Sequence, residues 1–563
     1  LEGWPPNDTI ANSAQEISNS FFFPAIRVFT VKRAFSPVPE SMCEGAWVEC
    51  SPATSPGFSA TAYFFGKALQ QALKVPVGLI HSSWGGTPVE SWMSAERLSG
   101  VAGYDSVIRK IRFSADSLRV LREWLVRFPM LDVGRRPQST RWRDLDLNDS
   151  SCAARGFVDS SWHVMNLPVL WERTSLGQFD GAVWFRKHVA IPAGWIRRDL
   201  VLELGPIDDI DAAFVNGRKV GGHEEEGMWN VDRVYRIPAA MVDSTLMEIA
   251  VRVIDFQGGG GIYGQEKALS LHPGEGEGRI SLAGPWKYLP VAEYRDHRFF
   301  VFGAEGQAYD KRPRLPIDIS GYSPTTLYNA MITPLAPFAI RGAIWYQGES
   351  NTDNPALYQT LFPSMIGNWR SAFRNDKLSF YYVQIAPYEY GPATSSQLLR
   401  EAQLATLAVP NTGMAVTMDI GNPRNIHPAN KQDVGRRLAL WALAKTYSKK
   451  VAFSGPLYKS MKKKKGSIEL YFDHAGKGLI LRTGPHGNGF QIAGPDSIFL
   501  DARVQVRGSS LVVSHPDIAN PQAVRYAFSN TAEGTLFNRE SLPAPSFRTD
   551  AWGPLSPPAT VQR

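Results

Sequence analysis

The sequence predicts an α/β domain interrupted by an inserted β-sandwich and followed by a β-rich terminus. Three observations predict it. Residues 59–80 read as an amphipathic helix running into a short apolar strand and then a Gly-rich loop, the grammar of an α/β domain. From about residue 150 to 290 the chain turns into short strands broken by Gly and Pro turns. After about residue 315 apolar strands alternate with helices again, and beyond about 450 strands return.

The elements follow in order. Within residues 59–73, Phe65, Leu69 and Leu73 fall four apart with Ala68 and Ala72 beside them, one apolar face of a helix. Residues 75–80 are an apolar run leading into the loop Ser82-Ser-Trp-Gly-Gly-Thr87. Strand-like runs occupy 181–191, 200–204, 211–215 and 247–254. Asn216-Gly217 predicts a type I′ hairpin, because both turn residues need positive φ. Residues 339–346, 378–385 and 413–418 read as buried strands, with a helix over 355–373 between the first two. A second helix over 431–447 places Val434, Leu438 and Trp441 on one face directly behind His427. The tail carries strand-like runs at 467–472, 478–482 and 502–507. These readings set domain bounds of 1–140 and 301–450 for the split α/β domain, 141–300 for the insert and 451–563 for the terminal β-domain.

Composition agrees with such a chain. Its 563 residues exceed a single core and predict three to five domains. A hydrophobic fraction of 44% with 20% charged residues fits a folded protein rather than a disordered one. The net charge of +7 is modest, and the dense basic run 462–465 reads as a hairpin end, so no nucleic-acid partner is expected. No apolar run approaches the roughly 18 residues of a membrane span. Cys43, Cys50 and Cys152 form no C-x-x-C, so no zinc or redox motif is expected. A Cys43 to Cys50 bridge and free thiols both remain open.

Three loops, each at the carboxyl end of a predicted strand, hold the candidate chemistry, since ligands bind there in open α/β sheets. In the first, Gly85 and Gly86 let backbone N–H groups approach a developing oxyanion, although a plain tight turn also fits. In the second, Gln347 and Asn351 offer amide donors and Glu349 a charge; the stretch also suits a helix cap before Pro355. The third runs from Asp419 to His427, where the histidine can act as a general base if an acid orients its other nitrogen. Arg400 and Arg370 are candidates for a substrate carboxylate, with structural ion pairs as the alternative.

Three stretches in order carry a resemblance: Val75-Pro-Val-Gly-Leu-Ile-His-Ser-Ser-Trp-Gly-Gly-Thr-Pro-Val-Glu-Ser-Trp92, Ile344-Trp-Tyr-Gln-Gly-Glu-Ser-Asn351, and Ile426-His-Pro-Ala-Asn-Lys431 with Val434-Gly-Arg-Arg-Leu438. Together they resemble the sialate O-acetylesterases of the SGNH-hydrolase superfamily. The resemblance implies a three-layer, flavodoxin-like SGNH-hydrolase domain carrying a galactose-binding-like β-sandwich insert. It implies hydrolysis of acetyl esters on the hydroxyls of sialic acid or a sialoglycan by a serine nucleophile and a histidine base, with no cofactor or metal. His427 carries over as the base. Several relatives place an aspartate two or three residues before it, where this chain has Arg424 and Asn425, so Asp419 is the expected substitute. Gly85, Gly86 and the amides of Gln347 and Asn351 carry over as oxyanion donors, with Glu349 and Arg400 on the substrate side. The family's nucleophile lies in a Gly-Gln-Ser-Asn motif just before a segment resembling residues 1–6, so the serine is expected on an amino-terminal segment or separate chain. Ser350, Ser82 and Ser83 are not expected to replace it. An acetyl xylan esterase and a non-catalytic glycan-binding protein are the alternatives, and a secreted, periplasmic or lysosomal location would suit a glycan substrate.

Overall fold

The computed structural model describes residues 10–553 apart from 102, 135–144, 225–226, 275–277, 296, 305–307, 315–316, 318, 337, 392–394 and 485–486. The chain divides into two compact units, residues 1–115 with 319–563 and residues 116–318. The β-rich tail therefore belongs to the same unit as the α/β elements. Among the described residues no helix is long and apolar enough to cross a membrane, and Cys43, Cys50 and Cys152 are free thiols.

In the first unit, Ile26–Thr30 pairs in parallel with Val77–His81 and antiparallel with Trp47–Glu49. Gly342–Trp345, Ser379–Val383 and Thr412–Ala415 form a second three-stranded sheet, parallel throughout. Two helices bind these sheets. Ala60–Leu73 starts where the Ser59 side chain accepts from the Ala62 N–H and stops at Lys74, whose φ is 57°. Lys431–Trp441 starts where the Asn430 side chain accepts from the Asp433 N–H. The two helices touch backbone to backbone: a Cβ on Gly435 would lie 2.5 Å from the Phe64 Cβ and 2.7 Å from the Phe65 nitrogen. Beneath them Leu69, Val77, Ile344, Val434, Leu438 and Trp441 share one apolar cluster, so strands from both sheets pack on the same helices.

The tail adds a four-stranded antiparallel sheet that includes the hairpin of Leu457–Lys464 and Ser467–Asp473. The basic run 462–465 sits at its turn, where Gly466 takes a φ of 70°. This part reaches the parallel sheet through the Gly534 N–H, which donates to the Met418 carbonyl at 2.9 Å.

The second unit consists of two antiparallel sheets, one of five strands and one of eight. Leu202, Leu204, Phe185 and Val251 lie in a common buried cluster between them. The expected hairpin joins Ile210–Val215 to Arg218–Gly221, with φ of 48° at Asn216 and 80° at Gly217. One element was not anticipated from the sequence. The helix Asp105–Leu125 buries Ile108, Ile111, Leu118, Leu121 and Leu125, a stripe at helical spacing that was there to be read.

Replacing Gly435 with alanine pushes a methyl group into the Phe64–Phe65 backbone, and overpacking of this kind costs about 1–3 kcal/mol. Gly435→Ala is expected to lower the urea midpoint of the chain without changing its m-value. An unchanged midpoint would show that the helices can separate freely.

Candidate active site

The three predicted loops lie at the carboxyl ends of Val77–His81, Gly342–Trp345 and Thr412–Ala415. The first two are stitched together. The Asn351 Oδ1 accepts from the Val89 N–H at 3.0 Å, and its Nδ2 donates to the Glu90 Oε2 at 3.0 Å. The Gln347 Nε2 donates to the Asn351 Oδ1 at 2.6 Å and to the Thr87 carbonyl at 3.3 Å. The Tyr358 hydroxyl donates to the Gln347 Oε1 at 3.2 Å, and Gln403 donates to the Gln347 carbonyl at 3.1 Å. Ser350 donates to the Gly86 carbonyl, and Ser82 to the Met331 carbonyl at 2.9 Å.

This stitching changes what the amides can do. Both hydrogens of the Gln347 amide are engaged within the protein, so its part in the site is to hold the loops. Asn351 uses one amide hydrogen on Glu90 and keeps the other. Gly85 and Gly86 are exposed at the tip of the first loop. Gly86 has a φ of 77°, which an alanine would adopt only with strain. The backbone route to an oxyanion donor is thus better supported than the Gln347 route.

In the third loop His427 is exposed, and its backbone N–H donates to the Asn425 Oδ1 at 2.8 Å. Asp419 was expected to support it. The structure instead commits both oxygens of Asp419 to Arg437, at 2.6 and 2.7 Å, while the Arg437 Nη1 also donates to the Val416 carbonyl at 2.6 Å. A bidentate pair of this kind is strong and directional, and it anchors the strand end to the helix behind His427. Glu349 is one carboxylate on which His427 acts electrostatically. Burial raises the Glu349 pKa, against backbone N–H bonds at its own turn and the positive charges of Lys431 and His427. Lys431 also stands over the Tyr346 ring at 5.2 Å. Glu90 and Lys431 stood inside the recognised motifs without an assigned part, because nothing in linear spacing showed that they face Asn351 and Glu349.

Arg400 does not reach a substrate. It is 0% exposed, and its guanidinium donates to the Ser546 and Ser396 hydroxyls and to the Ser529 carbonyl. It joins the helix Ser396–Ala405 to the β-rich tail, and burial lowers its pKa. Arg370 is likewise spent on the carbonyls of Leu378, Pro410 and Asn411.

Residues 317–444 match the family described as carbohydrate esterase, sialic acid-specific acetylesterase. The chain is similar to the sialate O-acetylesterase of Mus musculus, 36% identical over 172 residues, covering 26% of this chain and 32% of that protein. To the Homo sapiens sialate O-acetylesterase it is 32% identical over 199 residues, covering 31% of this chain and 37% of that protein. The matches thus span about a third of the length of these relatives. The crystal structure of a carbohydrate acetylesterase from Xanthomonas citri aligns with a TM-score of 0.55 at 24% identity, over 96% of this chain and 77% of that one. The last likeness concerns the fold. The family match takes in the second and third of the loops that carried the resemblance.

Because the Glu349 pKa is raised, its neutral form is favoured in the folded chain. Its contribution to stability is complete below the ordinary carboxylate pKa and is lost as pH rises through the raised value. Glu349→Gln is therefore expected to flatten part of the fall in stability as pH rises above the ordinary carboxylate range, measured by urea denaturation at a series of pH values. Parallel curves for the two proteins would contradict the burial of this group.

Proposed function

We propose that this chain, whose residues 317–444 match the sialic acid-specific acetylesterase family, serves in a serine esterase that removes O-acetyl groups from sialic acids of glycans. The observation that carries the reading is the stitching of two strand-end loops, one of which presents Gly85 and Gly86, in a chain whose residues 317–444 match the sialic acid-specific acetylesterase family. In the proposed reaction a serine Oγ attacks the acetyl carbonyl and His427 takes its proton, with Glu349 rather than Asp419 as the nearby acid. Backbone N–H groups of the Gly85-Gly86 loop and the remaining amide hydrogen of Asn351 would stabilise the oxyanion. His427 gives that proton to the departing sugar hydroxyl as its bond to the acetyl carbon breaks, which leaves an acetyl-serine; a water deprotonated by His427 then attacks that carbonyl, and acetate leaves as the proton passes to the serine Oγ. We place such an enzyme with its glycan substrate, in a secreted, periplasmic or lysosomal setting.

The sheet arrangement supports a nucleophile from outside the described residues. Val77–His81 and Gly342–Trp345 are each bonded to a neighbour on one side only among the described residues. Yet both contribute to one apolar cluster, and the loops that follow them are hydrogen-bonded to each other. A parallel strand inserted between these edges would make one continuous sheet of the flavodoxin-like type and would end between the first two loops. A serine at its carboxyl end would face the Gly-Gly loop. The second unit would then be a galactose-binding-like β-sandwich inserted in an SGNH domain.

The test supplies that strand. The purified chain is expected to leave para-nitrophenyl acetate intact, and to hydrolyse it once a segment bearing a strand and the serine motif is fused or added. His427→Ala should then lower kcat by about 10²–10⁴-fold. Absence of turnover with the segment, together with sugar binding, would favour the glycan-binding alternative. Faster release of acetate from acetylated xylo-oligosaccharide than from acetylated sialic acid would overturn the sialate assignment.

A further inference from the structure

The second unit gathers acids where two of its strands end. Asp208 closes the strand Leu200–Asp208, Asp209 follows it, and Asp255 closes Leu246–Asp255. One carboxylate oxygen from each of the three lies within 4.8 Å of the other two. These strands belong to different sheets, the first to the five-stranded and the second to the eight-stranded one.

Asp255 supplies an independent sign of a ligand. It is 0% exposed, and its Oδ1 accepts from the Gln257 N–H at 3.1 Å. Its Oδ2 is buried with no hydrogen-bond partner among the described residues. A carboxylate oxygen left so is costly unless a cation or a proton meets it. Nearby guanidinium groups are taken up elsewhere. Arg233 donates to Asp211 at 2.8 Å and to the carbonyls of Ile207 and Asp209, and Arg295 pairs with Glu293 at 2.6 Å. Two more acids, Glu172 and Asp180, act electrostatically on Asp255, and Glu172 accepts from the Gly260 N–H at 3.1 Å.

We propose that Asp208, Asp209 and Asp255 bind a calcium ion that clamps the two sheets of this unit together. All three donors are hard oxygens, with no histidine or cysteine among them, which excludes a zinc-type site. Calcium–oxygen bonds of about 2.4 Å let two ligands lie up to about 4.8 Å apart across the ion, whereas magnesium demands a tighter octahedron near 2.1 Å. The pairing of a site on one sheet with a site on the other gives the ion a structural task, independent of the acetyl chemistry.

Terbium tests this directly in the full chain. Trp171 lies against the cluster, since a Cβ on Gly260 would be 2.1 Å from the Trp171 ring and 2.9 Å from the Asp255 Cβ. Excitation of tryptophan is expected to sensitise one bound Tb³⁺ per chain. Calcium should displace it, magnesium at the same concentration should not, and calcium should raise the melting temperature above that in chelator. Asp255→Asn and Asp208→Asn, each checked for folding by circular dichroism, should weaken terbium binding at least tenfold. A melting temperature indifferent to calcium from pH 6 to 8 would mean that protons alone occupy the cluster, and the proposal would fail. Undiminished terbium binding in both folded variants would overturn it as well, and equal displacement by magnesium would overturn the choice of ion.

Discussion

The side chain of Asn351 is the constraint on which the geometry of the α/β unit turns. Through the Val89 N–H and Glu90 it fastens the loop after Gly342–Trp345 to the loop after Val77–His81. Gln347 completes the stitch by donating to both Asn351 and Thr87. Asn351 is only 9% exposed, so these bonds form where water competes poorly and an unmet partner is expensive. On the opposite side of the strands the Gly435 contact brings the helix behind His427 against the helix that precedes the first loop. Loop stitching above and helix contact below leave the three strand ends little freedom to drift apart.

Burial then sorts the charged residues into two kinds. Arg400, Arg370 and the Asp419–Arg437 pair are turned inward and bonded to the protein itself. Removing one partner of such a set would leave the other charge stranded in a poor solvent, so these groups hold the strand ends and the β-rich tail in register. Glu349 is of another kind: burial raises its pKa, while Lys431 and His427 act on it the other way. A histidine with a nearby but half-buried acid retains the freedom to accept and return a proton.

Much of this was legible in the sequence, for definite reasons. The helix 59–73 and the Asn216-Gly217 hairpin are local patterns, read from apolar spacing and from the need for positive φ, and both occur as expected. The three loops were found because each follows an apolar strand and holds a dense polar set. Partner choice within them was not legible. Asp419 lies eight residues before His427 in sequence, but the helix turns Arg437 back onto it and takes both of its oxygens. Arg400 looked available because charge usually signals exposure; its hydroxyl partners Ser396 and Ser546 lie on either side of a long stretch of chain. Cysteine spacing could not register Asp208, Asp209 and Asp255, whose carboxylates meet only where two strands end side by side.

The stitched loops also bear on how an inserted strand could act. The bonds of Asn351, Gln347 and Ser350 to the first loop are made within the described residues, so the frame of the site stands without a further strand. An incoming strand would need only to satisfy two rows of backbone groups, and parallel pairing would set its register and direction together. That separates two tasks which a single continuous domain folds at once: building the oxyanion frame and delivering the serine to it. Two facing, half-paired strand edges are also a liability, because such edges recruit strands indiscriminately. The half-buried residues along Val77–His81 and Gly342–Trp345 favour one extended apolar partner over solvent. Specific filling of that space would therefore bring chemistry and protection from aggregation in the same step.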